Sequence, residues 1–279
     1  MGKVSVCIPT YNYGHFIGAA IESVLRQTLQ DFEIIISDNA STDDTEAIVS
    51  GYVLHDPRIR YERNRSNLGM VANWNRCLAL ATGDYVKFLC ADDLLEAGCL
   101  AQLATLLDRF PSAALASCAR GIISDGDCTT YLAFSDIEER VEGPECIRRM
   151  LIRGNLIGEP TAVMFRRSCT SRGFDQGYQQ LTDMEFWLHL LEHGDFVFSP
   201  EVLCLYRQHE GMETKKNIKS ARILTEGRRL YLAYSVAPGI RLGIPARIFC
   251  SARPLFAFLY CWLYARFTSS NKHIGARTR

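Results

Sequence analysis

Along the first 110 residues the apolar positions switch regularly between two spacings. VSVCI (4–8) is a short apolar run that stops at Pro9, as a buried strand does. GHFIGAAIESVLRQT (14–28) then places Ile17, Ala20, Ile21, Val24 and Leu25 at helical spacing. FEIIIS (32–37) reads as a second strand and Asp43 to Leu54 as a second helix, with Asp43 and Glu46 at capping spacing. RIRYER (58–63) is a short third strand, and 69–83 a third helix closed by a glycine. YVKFLC (85–90) is a fourth strand, and the helix over 97–110 stops at Pro111. Strands alternating with helices predict an α/β fold, with a mostly parallel sheet flanked by helices on both faces.

The middle is less regular. Residues 113–123 read as strand, SDGDCTT as a turn, 143–154 as a helix and 160–167 as strand. TDMEFWLHLLEHG (182–194) is a helix whose Thr182 and Glu185 have capping-box spacing, with Met184, Trp187, Leu188 and Leu191 on its core stripe. Residues 195–209 read as one or two strands, and the pattern turns helical after Asn217. Residues 243–267 are strongly apolar, with Arg247, Arg253 and Arg266 at intervals. The uncharged run Pro254–Ala265 is twelve residues, short of the ~20 a span needs. It reads either as a helix packed on the core or a second subunit, or as one lying on an anionic membrane surface. Trp262 and its tyrosines favour the membrane contact.

The totals narrow the function. Lys plus Arg and Asp plus Glu both number 31, so nothing in bulk charge suggests nucleic acid as a partner. The eleven cysteines include no CxxC pair, and several sit in apolar runs, which predicts free thiols in a reducing, cytoplasmic setting. The apolar run in MGKVSVCIPTYN is too short for a secretory leader.

Three strands then deliver polar groups just past their C-terminal ends: Thr10, Tyr11 and Asn12; Asp38 and Asn39; Asp92 and Asp93. Ligands of open parallel sheets bind at that edge. No GxGxxG or GxxxxGK[ST] is present, which argues against a dinucleotide enzyme and a P-loop enzyme. Adjacent Asp92 and Asp93 repel, so something cationic, or something rich in donors, should sit beside them. A hard Mg²⁺ or Mn²⁺ that also grips a diphosphate is the simplest such partner. His and Cys do not cluster at zinc spacing.

The order PTYN, IESVLRQT, FEIIISDNASTD, NRSNLG (64–69) and ATGDYVKFLCADD (81–93) resembles the family 2 glycosyltransferases. TDMEFWLHL (182–190) and YRQH (206–209) resemble that family's acidic helix and late Arg/His motif. The resemblance implies the GT-A fold, with 1–115 as the nucleotide-sugar-binding half, 116–215 as the acceptor half and 216–279 as a helical extension. It also implies roles. Thr10, Tyr11 and Asp38 would hold the base, with Asn67 closing on it. Asp92 would touch the sugar or ribose and help with the metal, Asp93 would be the main metal ligand, and Asp183 the general base. His209 would reach the metal or diphosphate, and Arg207 would pair with phosphate oxygens. A helix N-terminus would keep Asp183 ionised, with Glu185 as the rival base. Arg166 and Arg167 end a strand or bind an acceptor phosphate. Where the family often has a further acid, this chain has Cys90, one carboxylate fewer for the metal.

The expected activity is metal-dependent, inverting transfer from a UDP-linked donor to a hydroxyl of a glycan or lipid-linked acceptor. The setting would be surface-polysaccharide assembly at the inner face of the cell membrane. The rival readings are a nucleotidyltransferase, for which PTYNYGHF lacks the basic loop, and a catalytically silent sugar-nucleotide-binding subunit.

Overall fold

The computed structural model describes residues 2–124, 127–132, 137–209, 222–236, 239, 240 and 242. Among the described residues ten strands form one sheet. In chain order they are β1 (Val4–Thr10), β2 (Phe32–Asp38), β3 (Ile59–Arg63), β4 (Tyr85–Phe88), β5 (Leu94–Leu95), β6 (Ala113–Ser124), β7 (Asp127–Leu132), β8 (Arg140–Val141), β9 (Val163–Arg166) and β10 (Asp195–Arg207). The path is β3-β2-β1-β4-β9-β6-β10-β5, with β7 on β6 and β8 on β10. Strands β3, β2, β1 and β4 are parallel, as the alternating pattern predicts. Strand β9 runs antiparallel to both β4 and β6, and β10 parallel to β6. Strands β1, β2, β4, β6 and β10 therefore all end at one edge, while β9 begins there.

The helices are α1 (Gly14–Leu25), α2 (Thr45–His55), α3 (Met70–Leu80), α4 (Cys99–Arg109), α5 (Gly143–Arg153), α6 (Thr182–Leu191) and α7 (Arg222–Tyr234). Period-two strands split the core between two faces. Val4, Val6 and Ile8 of β1 and Ile34 and Ile36 of β2 pack with Ile17, Val49, Leu100 and Leu103 of α1, α2 and α4. Cys7, Ile35 and Phe88 face the other way, against α3, α5, α6 and α7. On α4 the buried positions Cys99, Leu100, Leu103, Ala104, Leu106 and Leu107 follow the helical repeat. Each fully buried leucine there contributes about 1.5–3 kcal/mol.

Four local expectations change. Asp43 does not start α2 as its N-cap; its carboxylate takes Thr45 N–H at 3.1 Å and also Gly14 N–H at 2.9 Å, joining the starts of α1 and α2. Gly83 does not close α3, which ends at Leu80. Its role is close approach: a Cβ there would lie 2.6 Å from the Lys3 carbonyl oxygen. SDGDCTT is not merely a turn, since β6 and β7 pair as a hairpin through Asp127. The stretch 160–167 opens with a 3-10 turn, Pro160–Ala162, before β9.

Cys7, Cys77, Cys90, Cys99, Cys118, Cys146, Cys169 and Cys204 are unbridged, in line with the reading of free, core-packed thiols. Among the described residues no helix is long and apolar enough to cross a membrane. The membrane-surface reading concerns 243–267, which lies outside the described residues.

Candidate active site

The C-terminal edge of the sheet and the N-terminal end of α6 enclose a cleft of about 470 Å³. Among the described residues four carboxylates line it, those of Asp92, Asp93, Glu159 and Asp183. Among the described residues no Lys, Arg or His lines it. Thr10, Tyr11, Asn39, Asn67 and Asn73 form the other wall.

That wall is an amide network. Asn39 Nδ2 donates to Asn67 Oδ1 at 2.8 Å, and Asn39 Oδ1 accepts from Leu68 N–H at 2.8 Å. Asn64 links Asn39 to Asn73, whose own amide reaches the Ser37 carbonyl at 2.9 Å. Asn12 and Ala40, in the turns after β1 and β2, both hold positive φ, 57° and 63°. The cost of such backbone, ~1–2 kcal/mol, is met by cross-links between the turns: Asn12 N–H donates to Ser41 Oγ, and Asn12 Oδ1 accepts from Thr42 N–H. Thr10 is buried, and its hydroxyl meets no partner among the described residues. Asp38 lies beneath this wall rather than on the cleft. It is fully buried and accepts from Ser41 N–H at 2.8 Å, Ser41 Oγ at 2.6 Å and the Tyr61 hydroxyl at 2.6 Å. Its neighbour Asn39 is the residue that reaches the cleft, a step of one position that the sequence does not reveal.

The acidic turn after β4 is built from both sides. Asp93 is fully buried, with Oδ2 accepting from Thr161 Oγ1 at 2.5 Å and Oδ1 from Arg207 N–H at 2.8 Å. Burial, and then the Asp92 charge, push its carboxyl well above the ordinary range. Asp92 is the more exposed of the two, and His209 Nε2 lies 3.0 Å from its Oδ2. Arg207 Nε donates to the Asp92 carbonyl at 2.8 Å, and its guanidinium lies 5.0 Å over the Phe16 ring. Arg207 and His209 thus grip the outside of the turn, and neither lines the cleft. Below it, fully buried Lys87 donates to the carbonyls of Phe88, at 3.0 Å, and Thr161.

Asp183 opens α6 and accepts from Met184 N–H at 2.7 Å. Burial pushes its carboxyl up to about 6, against that hydrogen bond and with help from the Glu159 charge. Desolvation therefore outweighs the helix terminus expected to keep it ionised. The Thr182–Glu185 capping box does not form. Thr182 Oγ1 donates to the Tyr178 carbonyl instead. Glu185 is buried away from the cleft, paired with Arg172 and with the Tyr234 hydroxyl at 2.8 Å, which removes it as a rival base. The N–H groups entering α6, of Gln179, Gln180 and Leu181, are capped by Glu226 of α7 at 2.9–3.0 Å. Arg166 and Arg167 point elsewhere, to the carbonyls of Leu107 and Ala113 and of Gly83. Trp187 is core, as its helical stripe predicts, and its Nε1 holds the Gly158 carbonyl at 3.1 Å.

A family model described as Glycosyl transferase family 2 matches residues 5–174. The chain belongs to glycosyl transferase family 2. This glycosyltransferase has the GT-A fold of its structural neighbours. TarS residues 1–349 of S. aureus, in complex with UDP-GlcNAc, superpose with a TM-score of 0.73 at 20% identity, over 91% of this chain and 72% of that one. The mannosyltransferase PcManGT from Pyrobaculum calidifontis, in complex with GDP-Man and Mn²⁺, gives 0.65 at 18% identity, over 96% and 75%. In sequence, an uncharacterised Mycobacterium tuberculosis protein is 35% identical over 248 residues, 84% of this chain and 76% of its own. The GalNAc(5)-diNAcBac-PP-undecaprenol beta-1,3-glucosyltransferase of Campylobacter jejuni is 27% identical over 197 residues, 70% of this chain and 62% of that protein.

The donor set of this family 2 enzyme fits a hard divalent cation. One ligand atom each of Cys90, Asp92 and Asp93 lies within 4.8 Å of the others. Burial pushes the Cys90 thiol well up, so it stays a neutral, soft sulfur. Asp93 is committed to Thr161 and Arg207, which leaves Asp92 as the more available carboxylate of the acidic turn. A cation that takes most of its oxygens from substrate phosphates and water suits so small a protein share.

Glu159, the fourth cleft carboxylate, was not legible as a site residue. It is a single acid in an irregular segment, and its position at the head of a strand, before Pro160, was its only signal.

Proposed function

We propose that this glycosyltransferase moves a sugar from a nucleoside-diphosphate donor, UDP-linked, to a hydroxyl of a glycan or lipid-linked acceptor, with inversion and with Mg²⁺ or Mn²⁺. Polysaccharide or glycolipid assembly is the setting, supported by the undecaprenol-linked activity of the Campylobacter jejuni relative. UDP as the carrier is supported by the resemblance and by the TarS complex with UDP-GlcNAc. One observation carries the proposal: a cleft lined by four carboxylates and, among the described residues, by no basic side chain. A diphosphate cannot settle there without a cation to offset the repulsion.

Asp92 would hold the cation, with Asp93 as the buried brace that fixes the turn. When bound, the metal offsets charge that gathers on the departing diphosphate. Thr10, Tyr11, Asn39 and Asn67 would bind the nucleoside, with Asp38 supporting them from below. Arg207 and His209 would hold the acidic turn in place. Asp183 takes the proton from the acceptor hydroxyl as that oxygen attacks the anomeric carbon. The bond to the diphosphate oxygen breaks from the opposite face, so the anomeric centre inverts. Residues 243–267 would keep the enzyme at an anionic membrane surface, where lipid-linked acceptors lie.

A thermal-shift panel of UDP-, GDP- and dTDP-sugars, with and without Mn²⁺, tests the reading. A UDP-sugar should stabilise the enzyme only with metal, and Asp92→Asn should abolish that shift. Equal stabilisation without metal would overturn the proposal.

A further inference from the structure

We infer that Glu159 binds hydroxyls of the transferred sugar, and that this sugar is an uncharged hexose or N-acetylhexosamine. The inference rests on the donor reading above. With the diphosphate at Asp92 and the anomeric carbon before Asp183, the sugar ring has to occupy the space between those two residues. Glu159 lines the same cleft as those two residues. Two residues on, Thr161 fastens Asp93, and the Glu159 charge acts on both Asp93 and Asp183.

The turn is built to present this carboxylate. Arg120, only 8% exposed, pairs its charge with Glu159, with Nε 2.6 Å from Oε2. Gly158 has φ of +110°, and a Cβ on it would stand 3.0 Å from Arg120 Nη1, so glycine keeps the guanidinium in reach. The Gly158 carbonyl accepts from Trp187 Nε1 and from Asn155 Nδ2, both at 3.1 Å, which locks the turn to α6 and the core. A buried arginine on one oxygen leaves the other to accept sugar hydroxyls. The same crowd of carboxylates repels a carboxylated sugar, a specificity built from repulsion.

Titration calorimetry with Mn²⁺ present tests this on wild type and Glu159→Gln. The pairs are UDP with UDP-glucose, UDP with UDP-GlcNAc, and GDP with GDP-mannose. In the pair that binds, Glu159→Gln should hold the bare diphosphate within about twofold and weaken the sugar nucleotide about tenfold or more, the loss expected for a charge-assisted hydrogen bond. Weakening of both ligands alike, or of neither, would overturn the assignment. Wild type gives a second reading that needs no variant: UDP-glucuronate should bind at least about tenfold more weakly than UDP-glucose. Equal affinity would overturn the uncharged-sugar half. If no nucleoside diphosphate binds wild type, the donor reading falls, and the Glu159 role falls with it.

Discussion

Asp183 is pulled in two directions. The N-terminus of α6 and the Met184 N–H favour its charge, while burial and Glu159 oppose it and win. A carboxyl raised to about 6 is a usable base only above that pH. Transfer by saturated enzyme should therefore rise with pH and level off above an apparent pKa near 6. The sign for stability is the reverse. A carboxyl that holds its proton more tightly when folded costs stability as pH rises from the unfolded value toward 6, and adds no further change above it. Asp183→Asn should keep metal-dependent donor binding and lower turnover about 10²-fold or more, the usual contribution of a positioned base. Normal turnover by the variant would show that another group takes the proton. At this scale the sequence was readable where residues broke a local rule. Asp92 and Asp93 stood out because like charges ended an apolar strand. Asp38 and Asn39 could not be told apart, because which one faces the cleft depends on a turn with positive φ at Ala40.

Helix α6 shows a local signal losing to a tertiary one. Thr182 and Glu185 have the right spacing for a capping box, yet the cap comes from Glu226, 44 positions beyond Thr182. Glu185 is better used inside, between Arg172 and Tyr234, and a single sequence does not display such long-range competition. Gln179 and Gln180, whose N–H groups Glu226 holds, also line the cleft. Glu226→Gln would thus loosen the proposed acceptor side specifically. The loss of charge-assisted bonds should cost about 2 kcal/mol. The melting temperature should drop by roughly 4–8 °C. Acceptor KM should rise while the metal-dependent donor shift persists. Loss of the donor shift as well would mean that α7 supports the whole cleft.

For the whole molecule, the first 110 residues were legible, apart from the two-residue β5, because their longer strands and helices are local and regular. The middle was not. Its pairing depends on the reversed β9 and on the register shifts that bend β10 at Ser199, Val202 and Cys204. One sheet runs through both sides of residue 115, so the two expected halves share a single layer. The proposed membrane role of 243–267 belongs to this scale. Removing 243–279 should free the enzyme from anionic liposomes while leaving metal-dependent donor binding intact. Retained liposome association would reassign that segment to core or dimer packing.

Strand β9 meets the cleft with its head, where every neighbour along the parallel edge meets it with its tail. It sits between β4 and β6, yet Thr161 at its approach holds the donor-side Asp93. Evolution, or an engineer, cannot exchange the proposed acceptor half as a cassette cut at residue 116 without carrying off that latch. A seam after Arg166 keeps the Thr161 latch, and hybrids joined there should hold the acidic turn only where the incoming part supplies its own Arg207 and His209.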